Sequence, residues 1–171
     1  MEIKLSRCTL RGWRRGDEAS LLRYADNRNV WLNLRDRFPH PYTAADAEAW
    51  IGIASGESPV ANFAIVVSEE AIGGIGLTLG DDVFRRSAEI GYWLGEPFWG
   101  RGSATEAVRA VTEYAFQYFE VCRLEAGVFE WNPASMRVLE KVGYVREGRA
   151  RLGVIKDGRR GDRLLYGLVR P

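Results

Sequence analysis

The stretch from Ser87 to Phe119, SAEIGYWLGEPFWGRGSATEAVRAVTEYAFQYF, constrains this chain most. A β-prone run ends at Trp93-Leu94, a glycine-rich turn follows, and then Val108, Val111, Ala115 and Phe119 recur at helical spacing. A strand that passes through Gly100-Arg101-Gly102-Ser103-Ala104-Thr105 straight into a helix presents main-chain amides that have no intrahelical acceptor. The glycines let a ligand approach the backbone, the helix dipole is positive at this end, and Arg101 adds a formal charge. The turn therefore suits a phosphate or pyrophosphate. It is not a Walker A loop, because no Gly-Lys-Ser/Thr follows at the required spacing, and it lacks the GxGxxG dinucleotide fingerprint. For an isolated Gly-Arg-Gly, a turn whose glycines serve geometry alone remains the alternative.

The flanking sequence reads as one unit of 171 residues, with no Pro/Gly/Ser linker, low-complexity tract or internal repeat. Residues 7–13 alternate as a first strand, and a helical pattern runs from Gly16-Asp17 to about Asn27. Thr43, with Asp46 three residues on, predicts a capped helix start. Strands are expected at 60–68, 71–79 and 87–94 as an antiparallel meander, with turns at Glu69-Glu70 and Gly80-Asp81-Asp82. After the long helix come a strand at 121–130, a helix from Asn132 to Val142 ended by Gly143, and strands at 144–150 and 164–169 joined by a basic turn from Lys156 to Arg163. This order predicts an α+β architecture in which helices cover a largely antiparallel sheet.

Charge excludes some partners. Lys plus Arg number 24 against 23 Asp plus Glu, a formal net charge of +1, so no whole-molecule field draws in nucleic acid or an anionic membrane. Any anion must be held locally. The start, MEIKLSRCTLRGW, lacks the apolar core of a signal peptide, and no run approaches the roughly 18 apolar residues of a membrane span, so a cytoplasmic protein is expected. Cys8, Cys122 and the single His40 make no structural zinc site, and the two cysteines read as buried free thiols. The aromatics Trp31, Phe38, Tyr42, Trp50, Trp93 and Trp99 are expected mostly in the core, and His40 in a loop.

Two blocks, EIGYWLGEPFWGRGSATEAV and NPASMRVLEKVGYVREG, resemble the GNAT acetyltransferase superfamily, and within it the ribosomal-protein N-terminal acetyltransferase type. The first is similar to the acetyl-CoA motif Q/R-x-x-G-x-G/A, read here as Trp99-Gly100-Arg101-Gly102-Ser103-Ala104. The second is similar to the N-x-x-S-x-x-x-x-x-x-G-F/Y block, and PHPYT at 39–43 to the substrate-side loop. The resemblance spans nearly the whole chain and implies a mixed, mostly antiparallel sheet of about seven strands flanked by about four helices. It departs from the family at Trp99, where Gln or Arg is usual, and at Leu139, where many relatives carry a tyrosine as general acid.

The implied activity is acetyl transfer from acetyl-CoA to a primary amine, either a protein N-terminus or a small molecule, with no metal and with a homodimer possible. By resemblance the pyrophosphate lies on the amides of residues 100–105, with Gly100, Arg101, Gly102, Ser103, Ala104 and Thr105 in contact. The pantetheine arm pairs along Trp93 and Leu94, with the Leu94 amide as oxyanion donor. Asn132 is implied on the pantetheine amides, Ser135 near the cofactor sulfur as proton donor, and Arg137 on a CoA phosphate. Glu89 is the candidate base, with Glu130 in reserve; its bland alternative is a solvated carboxylate paired with Arg85 or Arg86. A catalytically idle CoA-binding or partner-binding module of the same fold is the competing class.

Overall fold

Turn and cap chemistry sets the ends of most elements. In the computed structural model, which describes residues 1–170, Thr43 accepts from the Asp46 N–H while the Asp46 carboxylate takes the Thr43 N–H, a reciprocal capping box that starts a helix over Ala44–Ala54. Gly143, at φ +106°, ends the helix Pro133–Val142 in the left-handed region, where its N–H reaches the carbonyls of Leu139 and Glu140. Asp157 and Gly158 both have positive φ, +50° and +74°, which closes a two-residue hairpin.

In chain order the elements are β1 (Glu2–Lys4), β2 (Thr9–Gly12), α1 (Glu18–Ala25), α2 (Arg28–Trp31), α3 (Ala44–Ala54), β3 (Asn62–Val67) and β4 (Glu70–Leu79). Then come β5 (Ser87–Leu94), α4 (Ser103–Tyr118), β6 (Arg123–Phe129), α5 (Pro133–Val142), β7 (Val145–Lys156) and β8 (Arg159–Val169). The strands form one sheet in the order β1-β2-β3-β4-β5-β6-β8-β7. Neighbours are antiparallel from β1 to β4 and again from β6 through β8 to β7, whereas β5 and β6 pair parallel over Ser87–Glu89 and Arg123–Glu125 only.

The expected α+β architecture is present, with eight strands and five helices among the described residues against the seven and four expected. The additions are β1 and α2, whose three and four residues are too short to show a period. The basic turn expected over Lys156–Arg163 is a correction: β7 and β8 run on through it, and the turn is Asp157-Gly158 alone.

The backbone groups into two compact units, Met1–Gly76 with Tyr92–Ala107, and Leu77–Gly91 with the chain from Val108 onward. In the first, Trp13, Leu21, Ala25, Tyr42, Ile51, Ala64 and Val66 make a buried cluster with Phe38, Trp50 and Trp93 packed against it. Most of the aromatics expected in the core are thus core or core-flanking, and Trp99 is the exposed one among them at 44%. Arg11 and Asp17 are also buried here, joined by two hydrogen bonds of 2.7 and 2.8 Å. In the second unit Val111, Leu124, Leu139 and Tyr166 are fully buried, and the Thr112 and Tyr144 hydroxyls pair at 2.9 Å. Cys8 is buried as expected and Cys122 is half-buried; both are free thiols. Among the described residues no helix is long and apolar enough to cross a membrane.

Candidate active site

The first unit builds the glycine turn ahead of α4 from several segments. β5 ends at Leu94, and the next amide, Gly95 N–H, returns to the Ile72 carbonyl at 2.7 Å. This close approach needs Gly73, where a Cβ would stand 2.4 Å from the Trp93 carbonyl oxygen. A single 3₁₀ turn, Glu96–Phe98, follows, and the Glu96 carboxylate is gripped by the side-chain amides of Asn27 and Asn29 at 2.8 and 2.9 Å. The Phe98 ring meets Tyr24 edge-on, and the Arg101 guanidinium lies 5.5 Å over that ring.

Trp99 is explained by its indole N–H, which donates to the Leu94 carbonyl at 2.7 Å and ties the turn to the strand that leads into it. Gly100 and Gly102 both lie at positive φ, +74° and +87°. The helical ladder of α4 opens with Glu106 N–H to Gly102 O at 3.1 Å, so the amides of Ser103, Ala104 and Thr105 come ahead of it. Ser103 is buried, Ala104 and Thr105 are half-buried, and Gly100, Arg101 and Gly102 are exposed. Trp93 is half-buried against Phe38 and Leu94 is buried.

One neighbour of this turn carried no sequence signal. Glu106, in the first turn of α4, accepts hydrogen bonds from the Ser6 hydroxyl and the Arg7 N–H, the latter at 3.0 Å, and stands 3.3 Å from the Arg7 guanidinium. Burial pushes its carboxyl upward, but the Ser6 and Arg7 donors and the Arg7 charge outweigh that and hold it below its ordinary value. Its partners Ser6 and Arg7, 100 and 99 residues away in sequence, could be found only from the folded chain.

The second unit holds the remaining candidates. Glu89 is partly exposed and 3.7 Å from Arg163. Glu130 lies 3.6 Å from Arg149, which also binds Asp162. Asn132 caps α5, its carbonyl oxygen accepting the Ser135 N–H at 3.2 Å. Ser135 is half-buried and Arg137 exposed. Leu139, one turn beyond Ser135, is fully buried and belongs to the core. His40 stacks on Trp31 and sits 3.7 Å from Asp26, in the first unit.

A family model described as an acetyltransferase (GNAT) domain matches residues 7–145. The chain belongs to the GNAT acetyltransferase family. It is 33% identical to the uncharacterized N-acetyltransferase p20 of Bacillus licheniformis, over 96% of this chain and 93% of that protein. It is 29% identical to the ribosomal protein uS5-alanine N-acetyltransferase of Escherichia coli, over 48% of this chain and 42% of the relative. Other curated relatives are likewise matched over about half of their own length, 48% and 49%. The solved structure of Mycobacterium smegmatis RimJ in complex with CoA-disulfide superposes with a TM-score of 0.78 at 27% identity, covering 95% of this chain and 81% of that one.

Proposed function

We propose that this protein transfers the acetyl group of acetyl-CoA to a primary amine by direct attack of the amine in a ternary complex. The observation that carries the reading is the main-chain geometry of residues 100–105 in a chain of this family. Two glycines at positive φ lead into a helix start whose first amides precede the hydrogen-bond ladder, with Arg101 beside them. Acetyl-CoA supplies the activated thioester; the residues of this chain bind, orient and move protons.

In this reading the amides of Ser103, Ala104 and Thr105 take the pyrophosphate, and Arg101 and Arg137 add charge. The end of β5 at Trp93 and Leu94 pairs with the pantetheine arm, and the Leu94 N–H donates to the carbonyl oxygen where negative charge develops. Asn132 spends its carbonyl oxygen on the Ser135 amide, which leaves its NH₂ to donate to pantetheine. Glu89 accepts the proton of the attacking amine, directly or through water, and Ser135 donates to the departing thiolate.

The acceptor we favour is a peptide α-amine. Its reference pKa, about 7.7–8.0, leaves a useful neutral fraction near pH 7, whereas a lysine amine at about 10.4 is almost wholly protonated. A single carboxylate such as Glu89 is then base enough. The E. coli relative named for ribosomal protein uS5 alanine supports the same class. Isothermal titration with acetyl-CoA is the first test, and absence of binding at millimolar cofactor overturns the reading. A thiol-release assay over amines, including peptides beginning Ala, Ser or Met, then separates transfer from an idle cofactor-binding module, which binds without turnover.

A further inference from the structure

Gly102 is crowded on one side by a side chain from the other end of its unit. A Cβ placed on Gly102 would meet Arg7 Nε at 3.1 Å and Cδ at 3.3 Å, so the Arg7 side chain lies against the phosphate turn. It is held there from both ends, by its own N–H on the Glu106 carboxylate at 3.0 Å and by its Nε, 3.3 Å from the same carboxylate. The side chain is nevertheless 58% exposed. Arg101, next to Gly102 in the turn, and Arg7, from the segment between β1 and β2, therefore both lie beside Gly102.

The arrangement has the properties of a charge held ready. Glu106 keeps two other donors, the Ser6 hydroxyl and the Arg7 main-chain N–H, so its carboxylate stays hydrogen-bonded if the guanidinium turns toward an anion. A planar guanidinium matches phosphate oxygens with two parallel N–H groups, which an ammonium does not. The glycine at 102 both permits positive φ and leaves room for the arginine.

We propose that Arg7 is a second cationic anchor for the pyrophosphate of acetyl-CoA, positioned over Gly102 by Glu106. This rests on the acetyl-CoA reading above. The test is titration of the full chain and its Arg7→Ala and Arg7→Lys variants with acetyl-CoA and with its 3′-dephospho form, at two or more salt concentrations, alongside melting of the unliganded proteins. Arg7→Ala is expected to weaken both ligands on the order of tenfold, the loss of one charge-assisted contact, and to flatten the salt dependence. Arg7→Lys keeps the salt slope and regains part of the affinity.

Equal affinity of wild type and Arg7→Ala overturns the proposal. So does a deficit confined to acetyl-CoA, which moves Arg7 to the 3′-phosphate, or a deficit with an unaltered salt slope, which makes its role structural. Should Arg7→Ala melt too low to titrate, Arg7→Gln carries the same comparison. Failure of the wild-type chain to bind acetyl-CoA overturns the underlying reading instead, so the two failures are distinct.

Discussion

Asp17 is 4% exposed, and its carboxylate takes two N–H groups from the Arg11 guanidinium and a third from the Arg14 main chain at 3.0 Å. Desolvation makes such a pair worth little in itself, but removing one member strands the other. Asp17→Ala is expected to lower stability by about 3–5 kcal/mol in urea unfolding, because Arg11 is left charged and buried. A cost below 1 kcal/mol would show that Arg11 finds water. Ser135 tests the other side of residue-scale reasoning, since its N–H is used by the cap while its hydroxyl is assigned to the thiolate. Ser135→Ala preserves the Asn132 cap bond, in which Ser135 takes part only through its main-chain N–H. On the proposed acid role it is expected to lower kcat while acetyl-CoA affinity holds within about twofold; a wild-type kcat removes Ser135 from that proposal.

At the scale of elements, local chemistry explains which parts of the fold were legible. The α3 capping box and the Gly143 terminus are short-range signals, and both are found where the residues place them. The Asp157-Gly158 turn was equally local, but the basic residues around it drew the loop too wide, although Asp-Gly between β-prone runs is itself a hairpin signal. What no local pattern could reveal is pairing across the chain, such as Arg7 with Glu106, Asn27 and Asn29 with Glu96, or Glu89 with Arg163. Gly143 gives a clean element-level prediction. A Cβ there would find only Leu168 Cδ1, at 3.8 Å, so Gly143→Ala meets no clash and pays only for its φ of +106°. A loss of about 1 kcal/mol is expected, read from chemical unfolding, and a loss above 3 kcal/mol would mean that α5 itself is displaced.

For the whole molecule, the titrating groups define the pH range in which the fold persists. Glu70, Glu113 and Glu147 are held below their ordinary values first by side-chain donors from Tyr24, Arg170 and Arg123, and Asp162 by the Leu152 N–H. Each binds its proton less tightly folded than unfolded, so its contribution is present above the unfolded carboxylate value and fades as pH falls through the folded one. Their exposure keeps each contribution small, and the acid limb is a gradual decline below about pH 4.5. The alkaline limb has a different cause. Burial pushes the Cys8 thiol to about 11 and the Tyr42 and Tyr144 hydroxyls to about 12. These acids keep their protons longer in the folded chain, so their stabilisation is complete below the unfolded values and is lost as pH rises through 9 to 12. Melting temperature measured at constant ionic strength should therefore be level between about pH 5 and 9 and fall on both sides, more steeply on the alkaline one, where the groups are buried rather than exposed. Tyr144→Phe should shift the alkaline fall to higher pH by removing one of these buried acids, despite losing the Thr112 partner. An alkaline limb unmoved by that substitution would place its cause elsewhere.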